Sequence, residues 1–328
     1  MIIAVDGMGG DNAPQAVIEG VYQALEAFPE LTIHLYGQQQ VMQPYLKAHE
    51  RIQIVACSEV VEATDDAARA VRRKKDSSMA RILQAVKEGQ ADACLSAGNT
   101  GALMAGGLFQ VGRIEGIARP ALATTLPTID GKGFLMLDLG ANADPKPEHL
   151  AQYAVMGNVY AQKVRKLATP RVGLLNIGTE EQKGNELTKA AFPLIQQEAL
   201  NFEGNVESRE LLNGVADVVV TDGFTGNMVL KSIEGTAVTM FTMLKEAFTS
   251  STKAKLGAVL AKDGLRGIKT KMDYTEYGGA ALFGLKAPVI KAHGSSNAKA
   301  IFSALRQAKE MVEYDVTATI QQTIAKSN

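Results

Sequence analysis

Short apolar runs alternate with longer amphipathic stretches along almost the whole of this 328-residue chain. The short runs end in loops rich in Gly, Asp, Asn and Thr, which is typical of βαβ units in a largely parallel sheet covered by helices. We predict strands over residues 1–5, 31–36, 52–56, 92–96, 121–126, 133–138, 171–176, 217–221 and 288–291. We predict helices over residues 14–27, 77–88, 100–110, 148–165, 185–199, 225–248, 253–262 and 296–324. Because two predicted strands flank the segment from Pro127 to Gly133, we expect a hairpin there and a mixed sheet.

The size and composition of the chain narrow its class. It can form a single α/β catalytic domain over residues 1–328, or two packed lobes with a central cleft, and no low-complexity linker divides it. A formal net charge of -1 and the absence of Trp argue against a nucleic-acid partner. The first residues predict a strand and not a signal peptide, and no apolar run reaches the roughly 20 residues of a membrane span. We therefore expect a cytoplasmic protein in which Cys57 and Cys94 are reduced core thiols.

Two distant segments of the chain are nearly alike. Residues 91–101 align without a gap on residues 216–226, and each segment combines an apolar strand, a Gly-containing loop and the start of a helix. Because backbone N–H groups at a helix N-terminus favour anions, each copy predicts a phosphate-binding loop. Chance similarity between two strand-loop-helix units of like composition is the alternative. The candidate ligands are Ser96, Gly98, Asn99, Thr100 and Gly101 in the first copy, and Asp222, Gly223, Thr225 and Gly226 in the second.

Six loops that follow predicted strands are rich in small and polar residues, and they lie at 6–12, 96–100, 138–142, 176–179, 221–227 and 293–297. Ligands of open α/β sheets bind at the carboxyl ends of the strands, so we expect these loops to form one cleft. They add Asp6, Gly9, Asp11, Asn142 and His293 to the predicted substrate site. The aspartates could act as bases or ligands, although loop aspartates more often cap helices or fix turns. The His293 side chain could equally contact a ligand or pack within its loop.

The motifs of several common enzyme classes are missing. The segment from Gly7 to Gly10 does not match the dinucleotide-binding pattern GxGxxG, and the chain has neither a P-loop nor a GxSxG nucleophile motif. The four histidines are scattered, without the paired spacing of a metal site. We therefore predict no cofactor and no metal ion.

Lys183 is the most conspicuous cation of the predicted loops. It lies after a strand and just before a predicted helix, where the helix dipole disfavours a positive charge. A lysine in such a place could bind phosphate or stabilise an oxyanion. A solvated surface lysine is the alternative.

Residues 252–272 predict an amphipathic helical hairpin. Its apolar residues are Leu256, Val259, Leu260, Leu265, Ile268 and Met272, and its basic residues are Lys253, Lys255, Lys262, Arg266, Lys269 and Lys271. Such an element could lie on an anionic membrane or pack against a second subunit, and an ordinary surface helix pair is the alternative. A separate basic run, 72–75, could dock an acidic protein, although a solvated charge run is more common.

Several blocks of the chain together resemble one known family, the PlsX family of acyl-ACP:phosphate acyltransferases. The blocks are residues 3–14, 71–79, 96–102, 119–122, 138–142, 183–186, 221–227 and 277–280, and the resemblance spans nearly the full length. One departure is Asn12, where members of that family often carry His, so an imidazole there is not an obligatory base.

The resemblance implies a cytoplasmic homodimer that converts acyl-ACP and inorganic phosphate into acyl phosphate for phospholipid synthesis. It implies a three-layer αβα fold with a mostly parallel mixed sheet, similar to phosphotransacetylases and to the isocitrate and isopropylmalate dehydrogenases. It also implies that Lys183 and Asn227 are catalytic, and that the hairpin at 252–272 makes a peripheral contact with the membrane, where a membrane glycerol-3-phosphate acyltransferase could be a partner.

Three other functions remain open from the sequence. A CoA-dependent phosphotransacetylase would share the phosphate site, and a dehydrogenase of the related fold would need a divalent metal and a nicotinamide cofactor. A non-catalytic peripheral membrane scaffold is the alternative from another class.

Overall fold

An 11-stranded sheet runs through the centre of the protein, in a computed structural model that describes residues 1–271 and 278–327. Its strands are β1 (Ile2–Asp6), β2 (Thr32–Gly37), β3 (Ile52–Ala56), β4 (Ala93–Ser96), β5 (Ala121–Leu126), β6 (Phe134–Leu137), β7 (Arg171–Asn176), β8 (Asn201–Glu207), β9 (Val218–Val220), β10 (Ala280–Phe283) and β11 (Val289–Lys291). The helices are α1 (Gln15–Ala27), α2 (Gln39–Met42), α3 (Ala67–Arg73), α4 (Ser78–Lys87), α5 (Thr100–Gly106), α6 (Pro147–Lys163), α7 (Glu186–Gln197), α8 (Gly223–Thr249), α9 (Thr252–Leu260), α10 (Lys262–Lys271), α11 (Ala298–Glu313) and α12 (Val316–Ser327).

The strands of the sheet reverse direction near its middle. The strand order is β3-β2-β1-β4-β11-β10-β5-β6-β9-β7-β8, and the antiparallel pairs are β11 with β10, β10 with β5, and β5 with β6. Since three reversals separate them, β4 and β9 run in opposite directions. The loops after β1, β4 and β11 therefore lie at one end of the strands, and the loops after β6, β7 and β9 lie at the other. The six polar loops therefore do not all lie at the same end of the strands. Four of them, 96–100, 138–142, 221–227 and 293–297, nevertheless contribute residues to one cavity, so the expected single cleft is confirmed for those four.

Helices cover both faces of the sheet. Along β1 the side chains alternate, because Ile3 and Val5 pack into one apolar cluster and Ala4 packs into another on the opposite face. The first cluster contains residues of α1, α6, α7 and α11, and the second contains residues of α4 and α5. These two helical layers on a mostly parallel mixed sheet confirm the predicted three-layer sandwich.

The local predictions agree with most of these elements. All nine predicted strands are present within one residue at each end, and β5 and β6 form the predicted hairpin. The strands β8 and β10 and the short helices α2 and α3 are not predicted. β8 is an edge strand with mostly polar residues, so it carries no clear apolar run. β10 is apolar throughout, but its four residues, Ala-Ala-Leu-Phe, contain no β-branched side chain, so they do not favour a strand over a helix. The helix predicted over 296–324 is in fact two helices, because Asp315 takes a φ of 50° between α11 and α12.

The second half of α8 forms, with α9 and α10, an exposed helical arm that we define as residues 235–271. No residue of α8 after Gly226 is buried, and none of α9 is. The arm exposes large apolar side chains at Val238, Met240, Met243, Leu256, Val259, Leu260 and Ile268, while Leu265 is half-buried. The last residue of the predicted hairpin, Met272, lies outside the described residues, as does Tyr277 of the family pattern. Within the described ranges, no helix has both the length and the apolar character that a membrane span requires.

Candidate functional site

A cavity of about 300 Å³ lies between the sheet and the first turns of α8. One side of it is apolar, where Leu122, Leu126 and Leu139 face Leu230 of α8. The opposite end is polar and is formed by the end of β11 and the loop that follows it. The full lining is Thr100, Leu122, Thr124, Leu126, Leu139, Asn227, Leu230, Lys231, Glu234, residues 278–280, residues 291–297 and Ala300. An apolar cavity with a few converging polar groups is the usual form of a small-molecule site.

The start of α8 is held by hydrogen bonds to its own cap and to the loop after β6. Asp222 caps the helix, since its Oδ1 accepts the N–H of Thr225 at 2.8 Å. The Gly223 N–H donates to the Asn142 carbonyl, also at 2.8 Å. The second copy of the repeat therefore uses its polar groups to fix the origin of α8.

A very close backbone contact then places Asn227. A Cβ atom on Gly226 would lie 1.9 Å from the Asp138 carbonyl oxygen, so the helix touches the end of β6 at this point. Asn227 is the next residue along α8, and its side chain lies beside Gly140 and lines the cavity. Its amide is thus carried by the first turn of a helix that is locked to the sheet.

The loop after β6 is organised by a buried carboxylate. Asp138 is fully buried, and its oxygens accept the N–H groups of Leu122 at 2.9 Å and Ala141 at 3.0 Å. They also accept the Asn142 backbone N–H at 2.7 Å and the Asn142 Nδ2 at 3.1 Å. Burial raises the pKa of the Asp138 carboxyl, while these four donors act in the opposite direction. The Asn142 amide also donates to the Pro120 carbonyl and the Tyr153 hydroxyl, so the Asp138 and Asn142 side chains hold this loop in place.

The first copy of the repeat makes internal contacts of its own. Ser96 is fully buried, and its Oγ donates to Asp6 Oδ2 at 2.7 Å and accepts the Gly98 N–H at 3.0 Å. Gly9 lies against Gly98, where a Cβ would come within 2.6 Å of the Gly98 nitrogen. Asn99 caps α5, the helix that begins at its neighbour Thr100. Among the described cavity residues, Thr100 is the one that this copy contributes.

At the polar end of the cavity, a loop from the N-terminal part of the chain is hydrogen-bonded to the loop after β11. The Asn12 Nδ2 donates to the carbonyls of Ser295 and Ser296, both at 3.2 Å. Asn297 then caps α11, because its Oδ1 accepts the Ala300 N–H at 3.0 Å. The loop after β11 is therefore pinned from both sides, and the N-terminus of α11 points its positive dipole end toward the cavity.

His293 is the histidine of this end. Its Nδ1 lies 2.8 Å from the Ser295 Oγ. Burial lowers the pKa of His293, and the nearby Lys231 ammonium lowers it further. The imidazole is therefore mostly neutral at pH 7 and can accept or donate a hydrogen bond.

With this geometry in place, the relatives of the chain define its family. A model of the family described as "Fatty acid synthesis protein" matches residues 1–319. A phosphate acyltransferase of Lysinibacillus sphaericus (strain C3-41) is 74% identical over 324 residues, which cover 99% of this chain and 98% of that protein. The chain belongs to the PlsX family of phosphate acyltransferases. It is therefore an acyltransferase.

Further relatives and solved structures are consistent with this assignment. A phosphate acyltransferase of Bacillus pumilus (strain SAFR-032) is 63% identical over 326 residues, covering 99% of this chain and 98% of that protein. The solved phosphotransacetylase of Streptococcus pyogenes superimposes with a TM-score of 0.62 at 17% identity, over 95% of this chain and 94% of that one. A branched-chain phosphotransacylase of Enterococcus faecalis V583 gives 0.58 at 17% identity, over 95% and 99%. At such identities these structures show a shared fold.

The cavity of this acyltransferase contains three of the residues predicted from sequence, Thr100, Asn227 and His293. Asp11 lies next to it, and its backbone N–H donates to the Gly294 carbonyl at 2.7 Å. Lys183 is exposed in the loop between β7 and α7, outside the lining but at the same end of the strands as the loop before Asn227. The other predicted residues outside the lining are Asp6, Gly9, Ser96, Gly98, Asn99, Gly101, Asn142, Asp222, Gly223, Thr225 and Gly226.

Sequence reasoning missed the buried cation of the site. Lys291 ends β11 and pairs in register with Ser96 of β4, and it lines the cavity although only 7% of it is exposed. The sequence did contain a signal for it, because this lysine ends an apolar strand just before a Gly- and Ser-rich loop. Ser296 and Asn297 were inside a loop that we singled out, but no pattern marked them individually.

Proposed function

We propose that this protein forms an acyl phosphate from acyl-ACP and inorganic phosphate, and that the product enters phospholipid synthesis. The observation that carries the proposal is the cavity itself, in which an apolar wall and a polar end with a buried ammonium group share one space. The apolar wall fits the acyl chain next to its thioester. The polar end and the amide of Asn227 fit the phosphate and the thioester carbonyl.

The reaction needs positioning more than it needs a strong base. Phosphate is already ionised near pH 7, so one of its oxygens can attack the thioester carbon directly. The new C–O bond forms as the C–S bond breaks, and the carrier thiolate leaves with the electron pair and is protonated by solvent. Holding both reactants in one cavity can supply about 7 kcal/mol of the barrier reduction. A donor such as the Asn227 amide, aimed at the oxyanion, typically contributes about 3 kcal/mol.

The cysteines are poor candidates for a covalent intermediate. Cys57 and Cys94 are both buried and free. Burial raises the pKa of the Cys57 thiol to about 11, and it raises that of Cys94 as well. A thiol that stays protonated at pH 7 is a weak nucleophile. We therefore propose direct transfer without an acyl-enzyme.

The carrier protein can dock beside the cavity, on the basic face of α3. Arg69, Arg72 and Arg73 are exposed on this helix. The Asn99 side chain, next to the cavity residue Thr100, donates to the Asp65 carbonyl just before α3 at 3.1 Å. The basic face is therefore fixed close to the cavity, where an acidic carrier would be attracted to it.

The helical arm is the proposed site of membrane contact, and contact with a second subunit is the alternative. Its apolar side chains are accompanied by exposed basic residues, among them Lys253, Lys255 and Lys262. Unpartnered apolar surface of this kind marks an interaction site, and basic residues beside it suit anionic lipid. We propose a homodimer that is peripherally associated with the membrane.

Replacing Val259 and Leu260 with Glu is expected to release the protein from anionic vesicles. These side chains are 67% and 82% exposed, so the change removes apolar area that is free to enter the lipid. Wild-type binding should weaken with salt but persist, since only its charge component is screened. Vesicle co-sedimentation measures the binding, and Thr249→Glu with Ser250→Glu is the control of equal charge. Dissociation into monomers with unchanged vesicle binding would instead make this stripe a subunit interface.

Lys183→Ala is expected to lower turnover about a hundredfold without changing the melting temperature. The exposed ammonium follows β7 at the same end of the strands at which α8, the helix of Asn227, begins, and it could meet a phosphate or oxyanion there. Steady-state rates with acyl-ACP and phosphate measure the effect, with Lys189→Ala, an exposed lysine of α7, as the control. Rates equal to those of the control would remove Lys183 from the chemistry.

The proposed function as a whole is tested by the phosphate-dependent release of free ACP from acyl-ACP. Release that requires both the enzyme and phosphate supports it. Equal or faster acyl transfer to phosphate from acyl-CoA would favour a phosphotransacetylase. No transfer from either donor, together with vesicle binding, would favour a scaffold.

A further inference from the structure

The polar end of the cavity contains a buried ammonium group that the protein does not neutralise by direct contact. Lys291 Nζ donates to the carbonyls of Ala97, at 3.3 Å, and Ala292. Among the described residues it forms no ion pair with a carboxylate, and one of its three N–H donors is left for another partner. Buried charges in proteins are normally paired with an opposite charge. The geometry of Lys291 therefore favours the binding of an anion in the cavity.

A buried hydroxyl beside it is also unsatisfied. Ser296 is 7% exposed and lines the cavity, and its Oγ has no hydrogen-bond partner within the described chain. Buried hydroxyl groups are nearly always hydrogen-bonded in folded proteins. Ser296 directly precedes Asn297, the cap of the 16-residue helix α11. The hydroxyl and the positive end of a long helix dipole therefore lie at the same place.

The carboxylates around this point act on the ammonium from a distance and do not contact it directly. Glu234 lies in the lining, but its Oε2 is paired with Lys231 Nζ at 2.7 Å. The Asp6 Oδ2 accepts the Ser96 hydroxyl, and Asp11 is exposed. Burial lowers the pKa of Lys291 to about 8, while Asp6 and Asp11 act to raise it. The group therefore remains mostly protonated at pH 7.

We infer that Lys291 Nζ, Ser296 Oγ and the N-terminus of α11 bind a phosphoryl group. This inference deepens the proposed function, on which it rests for the two sources of that group. One source is the inorganic phosphate that attacks the thioester. The other is the phosphodiester in the pantetheine arm of the carrier protein. Both carry negatively charged oxygens that accept the lysine and serine donors.

The test compares two variants with a control in the full-length protein. Lys291→Gln removes the charge, and Ser296→Ala removes the hydroxyl. Lys286→Gln changes an exposed lysine that lies outside the cavity lining. The dissociation constant for inorganic phosphate alone is measured by calorimetry, without any acyl donor. Melting temperatures with and without phosphate show whether each variant folds and whether it retains the ligand-induced stabilisation.

If inorganic phosphate is the ligand, Lys291→Gln should raise its dissociation constant and its KM at least about tenfold, and Ser296→Ala should raise both by a smaller factor. If the carrier phosphodiester is the ligand, the KM for acyl-ACP should rise instead, and phosphate binding should not change. The inference would be overturned by a folded Lys291→Gln protein whose dissociation constant for phosphate and KM for acyl-ACP both match those of Lys286→Gln. A wild-type protein that binds phosphate through Lys291 but transfers no acyl group would support this site and contradict the proposed function.

Discussion

Asn227→Ala is expected to lower kcat/KM for acyl-ACP by about a hundredfold to a thousandfold. The Asn227 side chain lines the cavity from the first turn of α8, and the contact of Gly226 with β6 fixes its place. In the proposed reaction, a donor held in this way would stabilise the developing oxyanion without having to reorganise. Removing it should therefore raise the barrier of the chemical step and leave the native contacts of the fold in place.

The measurement is a pair of steady-state titrations, with acyl-ACP and with phosphate, on proteins of matched melting temperature. Met228→Ala is the control, because this neighbouring side chain is 57% exposed and absent from the cavity lining. Asn227→Asp keeps the size of the side chain but replaces the amide donor with a carboxylate, so it should be at least as damaging. An Asn227→Ala enzyme with the rates of Met228→Ala would show that the amide has no role in the reaction.

Gly226→Ala is expected to destabilise the protein by at least about 3 kcal/mol. The added methyl carbon would lie 1.9 Å from the Asp138 carbonyl oxygen, which belongs to the backbone and has no rotamer to change. Either α8 must move away from the end of β6 or the loop at Asp138 must break its hydrogen bonds. Both changes also displace Asn227, so activity should fall even in the molecules that remain folded.

Gly235→Ala provides the matched control on the same helix. A Cβ built at this position meets no atom within 4 Å apart from its chain neighbours and the backbone of α8 itself, so the change should stabilise α8 by about 0.5–1 kcal/mol. Denaturant unfolding of the two variants gives the comparison directly. If Gly226→Ala unfolds at the same denaturant concentration as the wild type, the close contact between α8 and β6 does not exist in solution.

The sequence predicted those parts of the fold that depend on local apolar patterns. β1, β4 and β9 have compact apolar runs between polar loops, and the turn between β5 and β6 has Gly and Pro at its ends, so these were predictable. β8 was not predictable, because an edge strand is solvated on one side and needs no continuous apolar run. The reversal of direction between β5 and β6 follows from the predicted hairpin, but the insertion of β10 between β11 and β5 was not predictable, because its short apolar run has no β-branched residue.

The site was predictable as a set of loops but not as a set of side chains. Spacing identified the loops that contain Thr100, Asn227 and His293, and all three line the cavity. Spacing could not show that the Ser96 hydroxyl turns inward to Asp6. The burial of the Lys291 side chain was not predicted for a related reason. Whether a lysine at a strand end is buried is decided by β4 and by the loop after β11, which are distant in sequence.

The hydrogen bonds from Asn12 to residues 295 and 296 span more than 280 positions of the chain. During translation Asn12 is made early and residues 295 and 296 are made late, whereas domains generally begin to fold from the N-terminal side. The Asn12 side chain therefore cannot form these hydrogen bonds until residues 295 and 296 have been made. A chain that ends before residue 280 lacks β10 and β11, the strands that join β4 to β5 in the middle of the sheet, and it also lacks the polar end of the cavity. Under the proposed function, a chain that has not yet reached these residues is therefore expected to transfer no acyl group.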